Sequence, residues 1–223
     1  MMIEMQKQKL HAEICERIYQ TLYNGIRNVK SEEPRTWLKE RGLSCEVTGA
    51  GFSSGQITHR KTKEYLKEVE SVGFIRANNI VCKNGDTGYL TFARFGVVFP
   101  LRDGKGRVVN FYGIRFKLEK EEHSFMNDQG IYPAFPHEMT TQLFITTSIM
   151  DAASMIEAKV LDNRDAVICI PDGKILPQHE EAIKRLTQLN SIVWIESPKI
   201  NATQGLQGRI MPKGYVTKTK KKP

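Results

Sequence analysis

Residues 143–196 read LFITTSIMDAASMIEAKVLDNRDAVICIPDGKILPQHEEAIKRLTQLNSIVWIE, and the order of patterns in them decides the fold. LFIT (143–146), AVICI (166–170) and SIVWIE (191–196) are short runs of β-branched and large apolar residues, which read as strands. Between them lie MDAASMIEAKV (150–160) and PQHEEAIKRLTQL (177–189), which read as helices. Connections of that length join parallel strands, so the stretch predicts a parallel sheet covered by helices.

Upstream the pattern differs. IVCK, GYLTFAR, GVVFPLRD and GRVVNFYGIRF are β-branched and aromatic runs separated by Asn-Gly-Asp and Asp-Gly-Lys-Gly turns, the pattern of a small antiparallel sheet. Residues 118–139 are polar and turn-rich. Nearer the amino terminus, Leu10, Ile14, Ile18, Leu22 and Ile26 recur at helical steps from Glu4 to about Arg27. A second helix runs from near Pro34 to Arg41 with Gly42 as its C-cap, and a third from Lys61 to Val72 ended by Gly73. GAGFSSGQ between them reads as loop. The expected architecture is α/β with an α+β amino-terminal part: a subdomain over residues 1–138, a parallel-sheet subdomain over 139–200, and a basic, flexible tail over 201–223.

The chain has 223 residues, enough to bury a core, and no apolar run long enough to span a bilayer. Its start carries charges at helical spacing where a signal peptide would be apolar, so a cytoplasmic protein with no membrane partner is expected. Cys15, Cys45, Cys82 and Cys169 lie far apart with no CxxC pair, which argues against a zinc site or a disulfide framework. The net charge of +8 favours polyanionic partners, although many proteins with such a charge never meet nucleic acid.

Three stretches resemble the catalytic core of bacterial DnaG-type primases and the related primase-like proteins of mobile elements. They are PRTWLKERGLSCEVTGAGFSSG (34–55), TKEYLKEVESVGFIRANN (62–79) and, most specifically, GVVFPLRDGKGRVVNFYGIRF (96–116). The resemblance implies that Arg115, ending the last strand, and Asn127 in SFMND lie on a face that binds nucleic acid. It departs from the family at Ser124 and Phe125, where relatives carry lysine and tyrosine. Arg94, Arg102, Lys105, Arg107 and Lys117 are further candidates for tracking a phosphate backbone. Solvation of the sheet's edges accounts for the same residues equally well.

Residues 143–196 are similar to a toprim domain, whose chemistry rests on a glutamate after the first strand, an aspartate a turn later, and Asp-x-Asp after the third. Laid on that pattern, Thr147 stands in the glutamate's place and Asp151 keeps the aspartate. Glu196 and Pro198 stand at the last two positions. A rival register uses Asp172 and Lys174 but skips a strand and a helix. Threonine and proline are poor partners for a hard dication, so no cofactor is expected, with Mg²⁺ or Mn²⁺ at Asp151, Glu196 and Asp172 if the site is active. Asp151 is also suited to cap or hydrogen-bond at the start of its helix.

The remaining single residues have plainer readings. His179 reads as a surface histidine, Trp194 as core, and the lysines at 218 and 220–222 as an electrostatic or solubilising terminus. The resemblance lacks the family's zinc module and helicase-binding region, which suggests a core fragment or a stand-alone relative. The expected function is binding of DNA or RNA, single-stranded or primer-template, in replication or transfer of a mobile element, alongside replication or conjugation proteins. The rivals are an active metal-dependent primase or toprim nuclease, and a protein-interaction scaffold.

Overall fold

The structure is a computed structural model that describes residues 2–81, 87–196 and 216–221. The expected turn at 84–86, Cys82 and position 198 lie outside them. Chain contacts divide the molecule into two compact units. One comprises residues 1–101 and 107–128, the other 102–106 and 129–223. The division falls ten residues before the expected boundary at 138, and the tip of one hairpin joins the second unit.

The first unit opens with α1 (Met2–Arg27), followed by α2 (Glu32–Lys39) and a single turn α3 (Cys45–Thr48). The apolar stripe of α1 is buried as its spacing predicts: Ile14, Ile18, Leu22 and Ile26 are at most 3% exposed, while Leu10, near the start, stays exposed. Gly42 and Gly73 both adopt positive φ, as C-cap glycines do. The stretch expected as loop holds strand β1 (Gly51–Ser53) and a short 3₁₀ turn. Glycine at 51 lets that strand lie against α1, since a Cβ there would come within 2.8 Å of Leu22 Cβ.

After α4 (Lys63–Ser71), β2 (Ile75–Val81) and β3 (Thr87–Thr91) form a two-stranded antiparallel sheet of their own. A four-stranded sheet follows from β4 (Gly96–Arg102), β5 (Val108–Arg115) and β6 (Glu122–Phe125), in the order β1-β4-β5-β6. The strand β6 falls inside residues that composition assigned to turns. The sheet packs on α1 and α4 through Val98 and Phe111, with Phe74 meeting Phe111 edge-on at 5.4 Å.

The second unit is the predicted parallel sheet. Its elements are β7 (Gln142–Thr146), α5 (Ile149–Glu157), β8 (Asp165–Cys169), α6 (Pro177–Lys184) and β9 (Ser191–Glu196). The central strand β7 pairs in parallel with β8 on one side and β9 on the other. Leu143, Ile145, Ile168, Ile183, Ile192 and Trp194 form its core. One expectation fails here. Val216–Lys221, assigned to a flexible tail because of their lysines, form a strand β10 that pairs in parallel with β9, from Val216 opposite Ser191 to Lys221 opposite Glu196. Alternating Thr and Lys provides the backbone extension an edge strand needs, and lysine is a common edge residue. No described helix is long and apolar enough to cross a membrane.

Candidate nucleic-acid interface

Because β7, β8 and β9 run parallel, their carboxyl ends share one edge of the sheet. Ligands of open α/β sheets bind at such edges. Thr147 follows β7 directly, Asp172 sits in the 3₁₀ turn after β8, Glu196 ends β9, and Asp151 lies in the first turn of α5. The topology therefore gathers the predicted toprim positions, except 198, at one edge.

Thr147 is 8% exposed and its Oγ1 is buried with no hydrogen-bond partner. Its neighbour Thr146 donates its hydroxyl to the Ser148 carbonyl at 2.9 Å. The cap of α5 is Ser148, whose Oγ accepts from the Met150 amide at 3.2 Å, so Asp151 does not serve as the cap. Asp151 instead stands in the first turn, where the helix dipole favours a negative charge. Among the described residues, no three of His, Cys, Asp and Glu come together as ligands of a metal ion.

His179 corrects another expectation. It is 2% exposed, its Nδ1 accepts the Leu176 amide at 3.1 Å, and burial pushes its pKa down to about 4. Its neighbours Glu180 and Glu181 made the position read as surface, but the ring turns inward from the start of α6.

The basic candidates occupy three places. Arg102 and Lys105 stand at the β4–β5 hairpin tip within the second unit, where Arg102 and Ile131 exchange backbone hydrogen bonds of 3.0 and 2.9 Å. Arg102 donates to the Gly106 carbonyl at 2.8 Å, while the Lys105 side chain is exposed. Arg185, which the sequence did not single out, crowds the same tip: a Cβ on Gly104 would meet its Nη1 at 2.6 Å. In the first unit, Arg107 immediately precedes the return strand β5. Arg94 belongs to a turn flanked by the positive-φ residues Ala93 and Phe95, and its guanidinium lies 4.8 Å from the Phe95 ring. Arg115 and Lys117 form the third place and are ion-paired, Arg115 to Glu122 at 2.8 Å and Lys117 to Glu33.

Asn127 is engaged with Asn110. Its amide donates to Asn110 Oδ1 at 3.0 Å, its carbonyl accepts from Asn110 Nδ2 at 2.6 Å, and its own Nδ2 donates to the Val109 carbonyl at 3.2 Å. Asn110 is 1% exposed, so this exchange fastens the chain after β6 onto β5. Sequence reading also missed a chain of contacts on the same sheet. The Tyr112 hydroxyl and His123 Nδ1 are 2.5 Å apart, and His123 Nε2 lies 3.7 Å from the Glu121 carboxylate. Glu121 in turn accepts from Trp37 Nε1 at 3.0 Å and from Arg41 at 2.6 Å, with the Arg41 guanidinium 4.0 Å from the Trp37 ring. The only sequence signal for it was a tyrosine within a strand and a histidine among charges.

No protein-family model and no curated protein matches the chain. Solved structures do. A DnaG primase catalytic domain bound to ssDNA matches with a TM-score of 0.71 over 98% of this chain and 74% of its own, at 15% identity. A DNA primase domain from Pseudomonas aeruginosa matches at 0.67 over 96% and 71%, with 18% identity. The RNA polymerase domain of Mycobacterium tuberculosis primase DnaG, in complex with double-stranded DNA, matches at 0.67 over 97% and 74%, with 10% identity. The chain has the fold of the DnaG-type primase catalytic core.

Proposed function

We propose that this protein binds single-stranded or primer-template nucleic acid during replication or transfer of a mobile element, without metal-dependent synthesis of its own. The reading rests on a fold shared with primase domains solved on DNA, and on a net charge of +8. The observation that carries its second half is Thr147. At the position where the resemblance calls for a glutamate, a neutral hydroxyl is buried at the end of β7.

A Mg²⁺ ion takes six oxygens in near-octahedral array and depends on carboxylates for its charge balance. Threonine at 147 offers only a neutral oxygen, and among the described residues no three of His, Cys, Asp and Glu gather as ligands. Without that ion, charge developing during phosphoryl transfer lacks its usual compensation. The exposed Lys105 and Arg94, and Arg185 beside the hairpin tip, supply sequence-independent attraction for phosphates, which weakens steeply as salt rises.

The rival reading, an active primase or toprim nuclease, draws support from the topology that brings Asp151, Asp172 and Glu196 to one sheet edge. Primer synthesis and strand cleavage assayed with Mg²⁺ or Mn²⁺ decide between the two. Our reading expects binding at low salt with no product above an Asp151→Asn control. Product that requires Asp151 contradicts it.

A further inference from the structure

The turn that joins β3 to β4 holds two residues other than glycine in the left-handed region, Ala93 at φ 45° and Phe95 at φ 61°. A bulky residue rarely adopts that conformation, and it persists only where its surroundings enforce it. The contacts around this turn do so. Ser53, 1% exposed, donates its hydroxyl to the Phe92 carbonyl at 2.8 Å, and its own carbonyl accepts the Phe95 amide at 2.6 Å. The Gly96 amide donates to the Ala93 carbonyl at 2.8 Å. Ala93 sits against Gly113, where an added Cβ would lie 2.3 Å from the Ala93 Cβ.

Neither backbone preference nor burial accounts for phenylalanine at 95. Glycine or asparagine would take the left-handed region more readily, and Phe95 is 43% exposed. Among the described residues its ring meets no other ring. What lies beside it is the Arg94 guanidinium, 4.8 Å from its centroid. Arg94 is exposed too and forms no ion pair among the described residues, whereas Arg115 and Lys117 are both paired. Gly55 leaves room for it, since a Cβ there would come within 3.0 Å of Arg94 Nε. An unpaired cation next to an exposed apolar ring suits a ligand that carries negative charge next to a flat apolar group. A nucleotide has both, in its phosphate and its base.

We propose that Arg94 and Phe95 hold one nucleotide of a single strand, the guanidinium on its phosphate and the ring on its base. The proposal rests on the nucleic-acid reading above, in which Arg94 supplies only a sequence-independent attraction for phosphates, and adds Phe95 as a base contact. Bases within a duplex already stack on one another, so the contact selects unpaired strands. Because every base has a π face, it tolerates any sequence.

The test compares the full chain's affinity for an oligothymidylate with its affinity for an equally long strand whose bases are replaced by abasic sites. The wild type binds the base-bearing strand more tightly. Phe95→Leu weakens that binding by about 5-fold or more, the lower end for losing one stacked base, and leaves abasic binding unchanged. Phe95→Tyr keeps the preference by keeping a ring, and Arg94→Ala weakens binding to both strands. Phe95→Asn, which suits the left-handed backbone, abolishes the preference while the melting temperature stays at the wild-type value. Equal wild-type affinity for the two strands overturns the contact and leaves the nucleic-acid reading standing. So does a preference that survives Phe95→Leu, or an equal loss on both strands with a lowered melting temperature in Phe95→Asn. No binding to either strand at low salt overturns both.

Discussion

In the antiparallel unit, Asn110 is 1% exposed and both ends of its amide have partners on Asn127. In the parallel unit, Thr147 and Trp194 are likewise buried, yet Thr147 Oγ1 and Trp194 Nε1 have none. Among the described residues, these are the two buried side-chain polar atoms without a partner. A buried polar group without a hydrogen bond costs roughly 1–3 kcal/mol, so such atoms are rare and need a reason. Thr147 stands where the primase resemblance expects an acid.

Substitutions in the two units should therefore behave in opposite ways. Asn110→Leu removes the exchange with Asn127 and strands buried backbone groups, and it should cost about 2–4 kcal/mol in urea denaturation. A loss below about 1 kcal/mol would mean the exchange does not hold the chain after β6.

The next effect comes from His179, buried neutral at the start of α6. Its pKa falls from 6.5 in the unfolded reference to about 4 on folding. Between those values the unfolded chain binds the extra proton. The contribution is therefore fully present above about pH 6.5 and is lost as pH drops toward 4, by on the order of 3 kcal/mol. Stability measured across that window should fall with acid in the wild type, and much less in His179→Gln. Parallel slopes in the two proteins would contradict the assignment.

Thr147→Val should produce the smallest change and the opposite sign. Removing a hydroxyl without a partner at constant shape should leave stability unchanged or raise it by up to about 1 kcal/mol. A clear loss of stability would show that the hydroxyl has a partner after all.

The comparison also explains what could be read from the sequence. The parallel unit was legible because its strands and helices differ in period and follow one another without interruption from Leu143 to Glu196. The helix ends at Gly42 and Gly73 were legible because positive φ favours glycine. Strand β1 was hidden because Gly51 and Ser53 resemble loop residues until Leu22 is seen against them. Strand β10 was hidden because lysines at alternate positions resemble a solvated tail. At the candidate site, the placing of Thr147, Asp151 and Glu196 followed from resemblance. The Asn110–Asn127 exchange and the Tyr112–His123–Glu121 chain depend on contacts between strands, which no local pattern encodes.

The central claim is nucleic-acid binding that needs no divalent metal. The direct measurement is the affinity of the full chain for a labelled single strand at stepped salt concentrations, with Mg²⁺ and then with EDTA. The account predicts binding that weakens steeply with salt and survives chelation. Binding that disappears in EDTA and returns with Mg²⁺ would contradict it.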